Sequence, residues 1–140
     1  ITVMVQKEAA QRLCARVGSR ESGAITVAVN YYGTAKQLFG VSRGSFMPSP
    51  NVDSAVIRIE PRSTPLLDEA DEKFFFRMVR GGFSQRRKTA ANALSSALSI
   101  PKDRIYSALR ALDLSESARL EELDMSQLTD FSRLLKKSVN

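Results

Sequence analysis

The chain has 140 residues, 43% of them hydrophobic and 26% charged, which suits one ordinary domain, or a small domain with a piece of another, and argues against disorder as the default reading. A net charge of +6 favours a polyanionic partner, nucleic acid before an anionic membrane. One cysteine and no histidine exclude an internal disulfide, a Ser-His-Asp triad and a His-ligated zinc, and no apolar stretch approaches the ~20 residues that span a bilayer.

Ile1 to Val5 is an apolar, β-branched run and reads as a buried strand. It lacks the basic flank and small-residue cleavage site of a signal peptide. With no initiator Met ahead of it, it reads as a chain cut in mid-strand. The spacing of Ala9, Ala10, Leu13 and Cys14 predicts a helix from Lys7 to Arg16, with Cys14 as a buried, inert thiol. Gly18 to Gly23 is a polar loop. Ile25-Thr26-Val27-Ala28-Val29 predicts a second strand within Ala24 to Tyr32, ended by Gly33, and Lys36 to Ser42 allows a further short strand. Phe46-Met47-Pro48-Ser49-Pro50-Asn51 is an extended loop stiffened by two prolines. Ala55 to Ile59 is the final strand. The order strand, helix, strand, loop, strand matches the tail of an α/β sheet, with one covering helix leaving a face and an edge bare.

Glu60 to Pro65 is a linker between two prolines, and beyond it the apolar period changes from two to about 3.6. Asp71 to Val79, Thr89 to Leu98 and Asp103 to Leu112 are predicted helices. Acidic Asp68, Glu69, Asp71 and Glu72 suit the start of the first. Asp124-Met125-Ser126-Gln127 has the form of a capping box, opening a last helix with Leu128, Phe131, Leu134 and Leu135 on one face. The second half is an all-helical module of four or five short helices.

Three segments carry candidate chemistry. From Lys73 to Asn92 the chain bears six cations and no acid, including adjacent Arg86-Arg87-Lys88. Guanidinium forks and an ammonium beside a helix start suit neighbouring phosphates, giving salt-dependent affinity without base readout. The plainer reading is a solvated helix face. Phe46, ahead of a Pro-x-Pro segment, can offer a rigid aromatic face to an unstacked base, or simply plug a sheet edge. Gln6-Lys7-Glu8 follows a strand's C-terminal end, where α/β enzymes place their sites, or is an ordinary helix start. No glycine-rich nucleotide loop and no metal-ligand cluster occurs in the sequence.

Together, in this order, these segments resemble the small-subunit ribosomal RNA adenine dimethyltransferases (the KsgA/RsmA family). Val3 to Leu13 looks like the family's strand and helix after its catalytic loop. Gly44-Ser45-Phe46-Met47-Pro48-Ser49-Pro50-Asn51-Val52-Asp53-Ser54 is similar to its Phe-x-Pro-x-Pro segment. Phe83-Ser84-Gln85-Arg86-Arg87-Lys88-Thr89 resembles its basic signature, and Arg119-Leu120-Glu121-Glu122-Leu123 its Arg-x-Glu-x-Leu. Asn51 stands where the family commonly has Lys, and Gly81-Gly82 reads as a looser joint before the basic run.

The resemblance implies residues 1–62 as the C-terminal part of a Rossmann-like methyltransferase domain and residues 63–140 as a helical RNA-binding domain. It implies dimethylation of two adjacent small-subunit rRNA adenines with S-adenosylmethionine by a full-length enzyme. The donor site and an Asn-Leu-Pro-Tyr loop lie upstream in the family and are absent from this sequence, so the fragment is expected to bind no cofactor or metal and to be inactive alone. Phe46 would stack on the target adenine. Gln85, Arg86, Arg87 and Lys88 would bind RNA. The expected partners are small-subunit rRNA and the immature 30S-type subunit, for a cytoplasmic monomer without membrane attachment. The alternatives are an erythromycin-resistance type of large-subunit methyltransferase and a noncatalytic ribosome-assembly factor. The Gln-Arg-Arg-Lys-Thr run and the Arg-x-Glu-x-Leu ending favour the small-subunit enzyme.

Overall fold

From Ser54 to Pro61 alternate side chains separate onto two faces: Ala55 and Ile57 are buried, whereas Arg58 and Glu60 are exposed. This strand, β3, is the middle of a three-stranded sheet, order β1-β3-β2, formed with β1 (Thr2–Gln6) and β2 (Gly33–Val41). A computed structural model of the chain describes residues 1–45 and 52–137. It divides into two units, Ile1–Arg16 with Glu21–Pro65, and Val17–Arg20 with Leu66–Asn140.

In the first unit both strand pairings are antiparallel, with Val3 opposite Ile57 and Val5 opposite Ala55 on one side, and Gln37 opposite Ile57 on the other. Helix α1 (Lys7–Leu13) sets Ala10 against Ala55 and Ile57, and Val5, Leu13, Cys14 and Ile59 surround that cluster. The helix stops three residues short of the expected Arg16. Cys14 still donates its N–H to Ala10 at 2.9 Å, and its side chain is half-buried rather than fully buried. Burial pushes its thiol pKa up.

Two expectations for this unit fail. Ile1 to Val5 is not a buried strand: β1 runs Thr2–Gln6 at the sheet edge, with Ile1 72% and Met4 53% exposed. The β-branched run expresses strand propensity, but burial depends on what covers it. Met4, Val56 and Phe39 line up across the sheet on the face away from Ala10, and Phe39 too is largely exposed.

Ala24–Tyr32 is a helix, α2, not a strand. Thr26 Oγ1 accepts the Gly23 N–H at 3.0 Å and donates to the Arg12 carbonyl at 2.6 Å, which closes the first turn. At the far end Arg62 Nη2 donates to the Asn30 carbonyl at 2.8 Å and Nε to that of Tyr31 at 3.3 Å, satisfying carbonyls that a helix leaves open. Thr26, Val27 and Tyr31 are buried, a helical spacing hidden within a β-branched composition. Gly33 accordingly opens β2 rather than ending a strand, and a side chain there would collide with the Glu60 carbonyl. A bulge between Gln37 and Phe39 interrupts β2.

The second unit holds α3 (Glu69–Phe83), α4 (Ala90–Leu98), α5 (Lys102–Ala111) and α6 (Met125–Lys137), with a 3-10 turn at Leu120–Glu122. Phe75, Met78, Leu94, Ile105, Leu109, Leu128 and Phe131 form its fully buried interior. Each such side chain contributes about 1.5–3 kcal/mol relative to exposure. Helix α3 is longer than its apolar stretch predicts, because Asp68 caps it, accepting the Asp71 N–H at 2.8 Å, and because it continues through Gly81 and Gly82. These glycines are contact points inside a helix, not a loose joint. A methyl group on Gly81 would stand 2.6 Å from Ala97 Cβ, and one on Gly82 3.0 Å from Leu120 Cβ. The capping box forms: Gln127 N–H donates to Asp124 at 2.8 Å and Asp124 N–H to Gln127 Oε1 at 3.0 Å.

Candidate nucleic-acid interface

The basic run occupies the turn between α3 and α4. Phe83 ends α3 with its ring buried, and Thr89 caps α4, its hydroxyl accepting the Asn92 N–H at 3.2 Å. The turn is therefore anchored at both ends, and Lys88 N–H donates to the Gln85 carbonyl at 3.0 Å within it. Gln85 is half-buried, while Arg86, Arg87 and Lys88 are exposed.

The three cations are not equivalent. Arg86 Nε meets Glu121 Oε2 at 2.5 Å, and the second oxygen of Glu121 lies 3.6 Å from Arg119 Nη1. Glu121 is largely shielded, its side chain 15% exposed, so this pair sits in a setting where charge-assisted hydrogen bonds count for more than at an open surface. Arg119 in turn gives its N–H to Glu122 at 2.9 Å, and Leu120 packs over Gly82. The basic signature and the Arg-x-Glu-x-Leu, far apart in sequence, thus form one assembly. Arg87 and Lys88 have no carboxylate within ion-pair distance among the described residues, which leaves two exposed cations beside the start of α4.

A second cluster lies in the first unit, at the base of the Phe-Pro-Pro segment. A 3-10 turn at Arg43–Ser45 leads out of β2. Asp53, just before β3, accepts the Arg43 N–H at 2.9 Å, with Arg43 Nε at 3.4 Å. That backbone hydrogen bond, then the charges of Arg43 and Lys7, hold the Asp53 carboxyl below its ordinary range. The Asp53 carbonyl accepts the Lys7 N–H at 2.9 Å, which joins the β1–α1 junction to the same base. Gln6, Lys7, Glu8 and Gln11 line a cleft of about 480 Å³ with Arg43, Val52 and Asp53, and a smaller one of about 340 Å³ opens beside Gln37, Ser42 and Ser54. Phe46 itself, with Met47 to Asn51, lies outside the described residues.

The residues that organise both clusters escape a sequence reading. Arg43 shows no periodicity that marks it, and Glu121 belongs to a quoted motif whose pattern does not name Arg86 as its partner. The chain passes from Gln6 straight into α1 without a glycine-rich turn, and Asp53 is engaged by Arg43. No group of three or more metal-ligating side chains occurs among the described residues, nor any helix long and apolar enough to cross a membrane.

The fold is that of RNA-modifying methyltransferases. A crystal structure of a dimethyladenosine transferase from Plasmodium falciparum superposes with a TM-score of 0.80 at 25% identity, over 99% of this chain and 57% of that one. The 23S rRNA methyltransferase ErmE shares the fold, with a TM-score of 0.70 at 24% identity, over 96% of this chain and 54% of that one. The family model for ribosomal RNA adenine dimethylase matches residues 1–137, and the chain belongs to that family. Ribosomal RNA small subunit methyltransferase A of Geobacillus thermodenitrificans is 44% identical over 138 residues, which are 96% of this chain and 47% of that protein. The chain thus spans about half the length of the curated relatives it matches.

Proposed function

We propose that this chain is the C-terminal, RNA-gripping portion of an S-adenosylmethionine-dependent enzyme that dimethylates two adjacent adenines of small-subunit rRNA at N6. Residues 1–62 are the last part of a Rossmann-like methyltransferase domain, and residues 63–140 are its helical RNA-binding domain. The observation that carries this reading is the Arg86–Glu121 pair, which ties the basic run to the Arg-x-Glu-x-Leu segment, while Arg87 and Lys88 have no carboxylate within ion-pair distance among the described residues. A fixed, unneutralised pair of cations suits phosphate oxygens, whereas a merely solvated face needs no such anchoring. Gln85 and Arg86 frame the grip, and Arg87 and Lys88 supply most of its charge.

Phe46, which follows Arg43 and precedes Asp53 in the sequence, stacks on the target adenine once that base leaves its helix. The donor and the groups that hold the adenine amine belong to residues outside this chain. The isolated chain therefore binds RNA without binding S-adenosylmethionine or transferring methyl groups. The enzyme works in the cytoplasm as a monomer on the immature small subunit.

The test is the salt dependence of binding to a small-subunit rRNA 3′-terminal hairpin. Arg87→Ala with Lys88→Ala should lower affinity and reduce the slope of log affinity against log salt by about one to two units. An unchanged slope would remove the phosphate grip from this turn. Calorimetric detection of tight S-adenosylmethionine binding to the chain would contradict the division of labour.

A further inference from the structure

Two groups of cations in the helical unit contrast with each other. Arg86, Arg110, Arg119, Arg133 and Lys136 each lie within 4 Å of a carboxylate. Lys73, Arg77 and Arg80 of α3 are exposed and, among the described residues, lie near none. Their spacing of four and then three residues places them in one line along the helix. The opposite side of the same helix buries Phe74, Phe75, Met78 and Val79. From Lys73 to Arg80 the line is about 10 Å long at 1.5 Å per residue, and its C-terminal end runs into the turn that carries Arg87 and Lys88.

Helix electrostatics accounts for only part of this. A cation in the last turn is stabilised by the dipole, which covers Arg80 but not Lys73, five residues into the helix and one turn from the acidic start. Glu69 stands four residues before Lys73, the favourable order for an ion pair, and the pair does not form. A row of unneutralised cations on a rigid, well-packed helix, continuous with a proposed phosphate grip, is an electrostatic track rather than a solubilising surface.

We propose that Lys73, Arg77 and Arg80 form a second set of RNA backbone contacts, so that the RNA path continues from the Arg87-Lys88 turn along the outer line of α3. The inference rests on the RNA-gripping reading of this chain and extends it. The line spans two or three successive phosphates at about 10 Å. The contacts proposed are to phosphates, which position the RNA and strengthen as salt falls without reading its sequence.

The experiment uses the 140-residue chain and the same rRNA hairpin. Lys73→Gln, Arg77→Gln and Arg80→Gln are combined, and Arg87→Gln with Lys88→Gln is the parallel variant. The triple variant should reduce the slope of log affinity against log salt by roughly two units, at about 0.7–0.9 per lost phosphate contact, in addition to the loss in the turn variant. It should weaken an unrelated RNA hairpin equally. A charge-retaining variant, Arg77→Lys with Arg80→Lys, should keep the slope, which separates charge from helix damage. If the turn variant lowers the slope and the triple variant does not, the α3 track is wrong while the grip stands. If neither lowers it, or the unaltered chain does not bind the hairpin, both fall. A loss of affinity at unchanged slope, or restricted to one RNA sequence, also overturns the track.

Discussion

Glu121 illustrates how one side chain changes the meaning of a charged run. It is an acid beside a proposed RNA grip, so charge counting alone expects its removal to tighten RNA binding. Its contacts with Arg86 at 2.5 Å and Arg119 at 3.6 Å argue the reverse. Glu121→Gln should weaken RNA binding several-fold although it raises the net charge by one, and should cost about 1–2 kcal/mol of stability as two guanidinium groups lose a shielded partner. Titration against the rRNA hairpin together with urea unfolding decides between the two expectations. A second residue-scale test concerns Asp53. Its carboxyl titrates below the ordinary Asp value because the Arg43 N–H, and then the Arg43 and Lys7 charges, favour the ionised form. A depressed folded value means that its stabilising contribution is fully present above the unfolded pKa and is lost as pH falls through the folded one. Carbon-detected NMR should show Asp53 titrating low, and Arg43→Ala should move it only part of the way back, because the backbone N–H remains.

At the scale of elements, the packing of α2 and α3 departs furthest from local pattern. Thr26 is the pivot of α2: its hydroxyl accepts from Gly23 and donates to Arg12. Thr26→Val keeps shape and β-branching but leaves a buried N–H and a carbonyl without that partner, and should destabilise the chain by about 1–3 kcal/mol in chemical denaturation. Gly81→Ala tests the helix contact in α3. Helix propensity alone gains about 1 kcal/mol from the change. The Ala97 methyl 2.6 Å from the new carbon cannot swing away, and overpacking costs about 1–3 kcal/mol. Gly81→Ala should therefore lower the melting temperature, and Gly82→Ala, facing the buried Leu120, should lower it further. A rise in either case would return the pair to the role of flexible joint.

For the whole molecule, the family and the helical half were legible from residue patterns. Asp68 and Asp124 announce their helices, apolar residues recur every three or four positions, and the Phe-Pro-Pro, Gln-Arg-Arg-Lys-Thr and Arg-x-Glu-x-Leu segments follow one another within residues 1–137, which the family model matches. These features are local: a cap acts within one turn, and an amphipathic period is written into consecutive residues. The first unit was less legible. Ile25 to Val29 has the composition of a strand, yet it is helical, and one partner that closes the helix's end is Arg62, some 30 positions later, donating to the carbonyls of Asn30 and Tyr31. Propensity is a weak prior that such distant partners override.

Taken by itself, then, the sequence determined the family, the basic character of the α3–α4 turn and the caps that start the helices, because each depends on neighbours within a few residues. Only the tertiary structure decided that α2 is a helix, that Gly81 and Gly82 are tight contacts, and that Arg86 is held by Glu121 while Arg87 and Lys88 meet no carboxylate among the described residues. Those outcomes depend on which groups meet across tens of residues, and no local period or motif encodes the meeting.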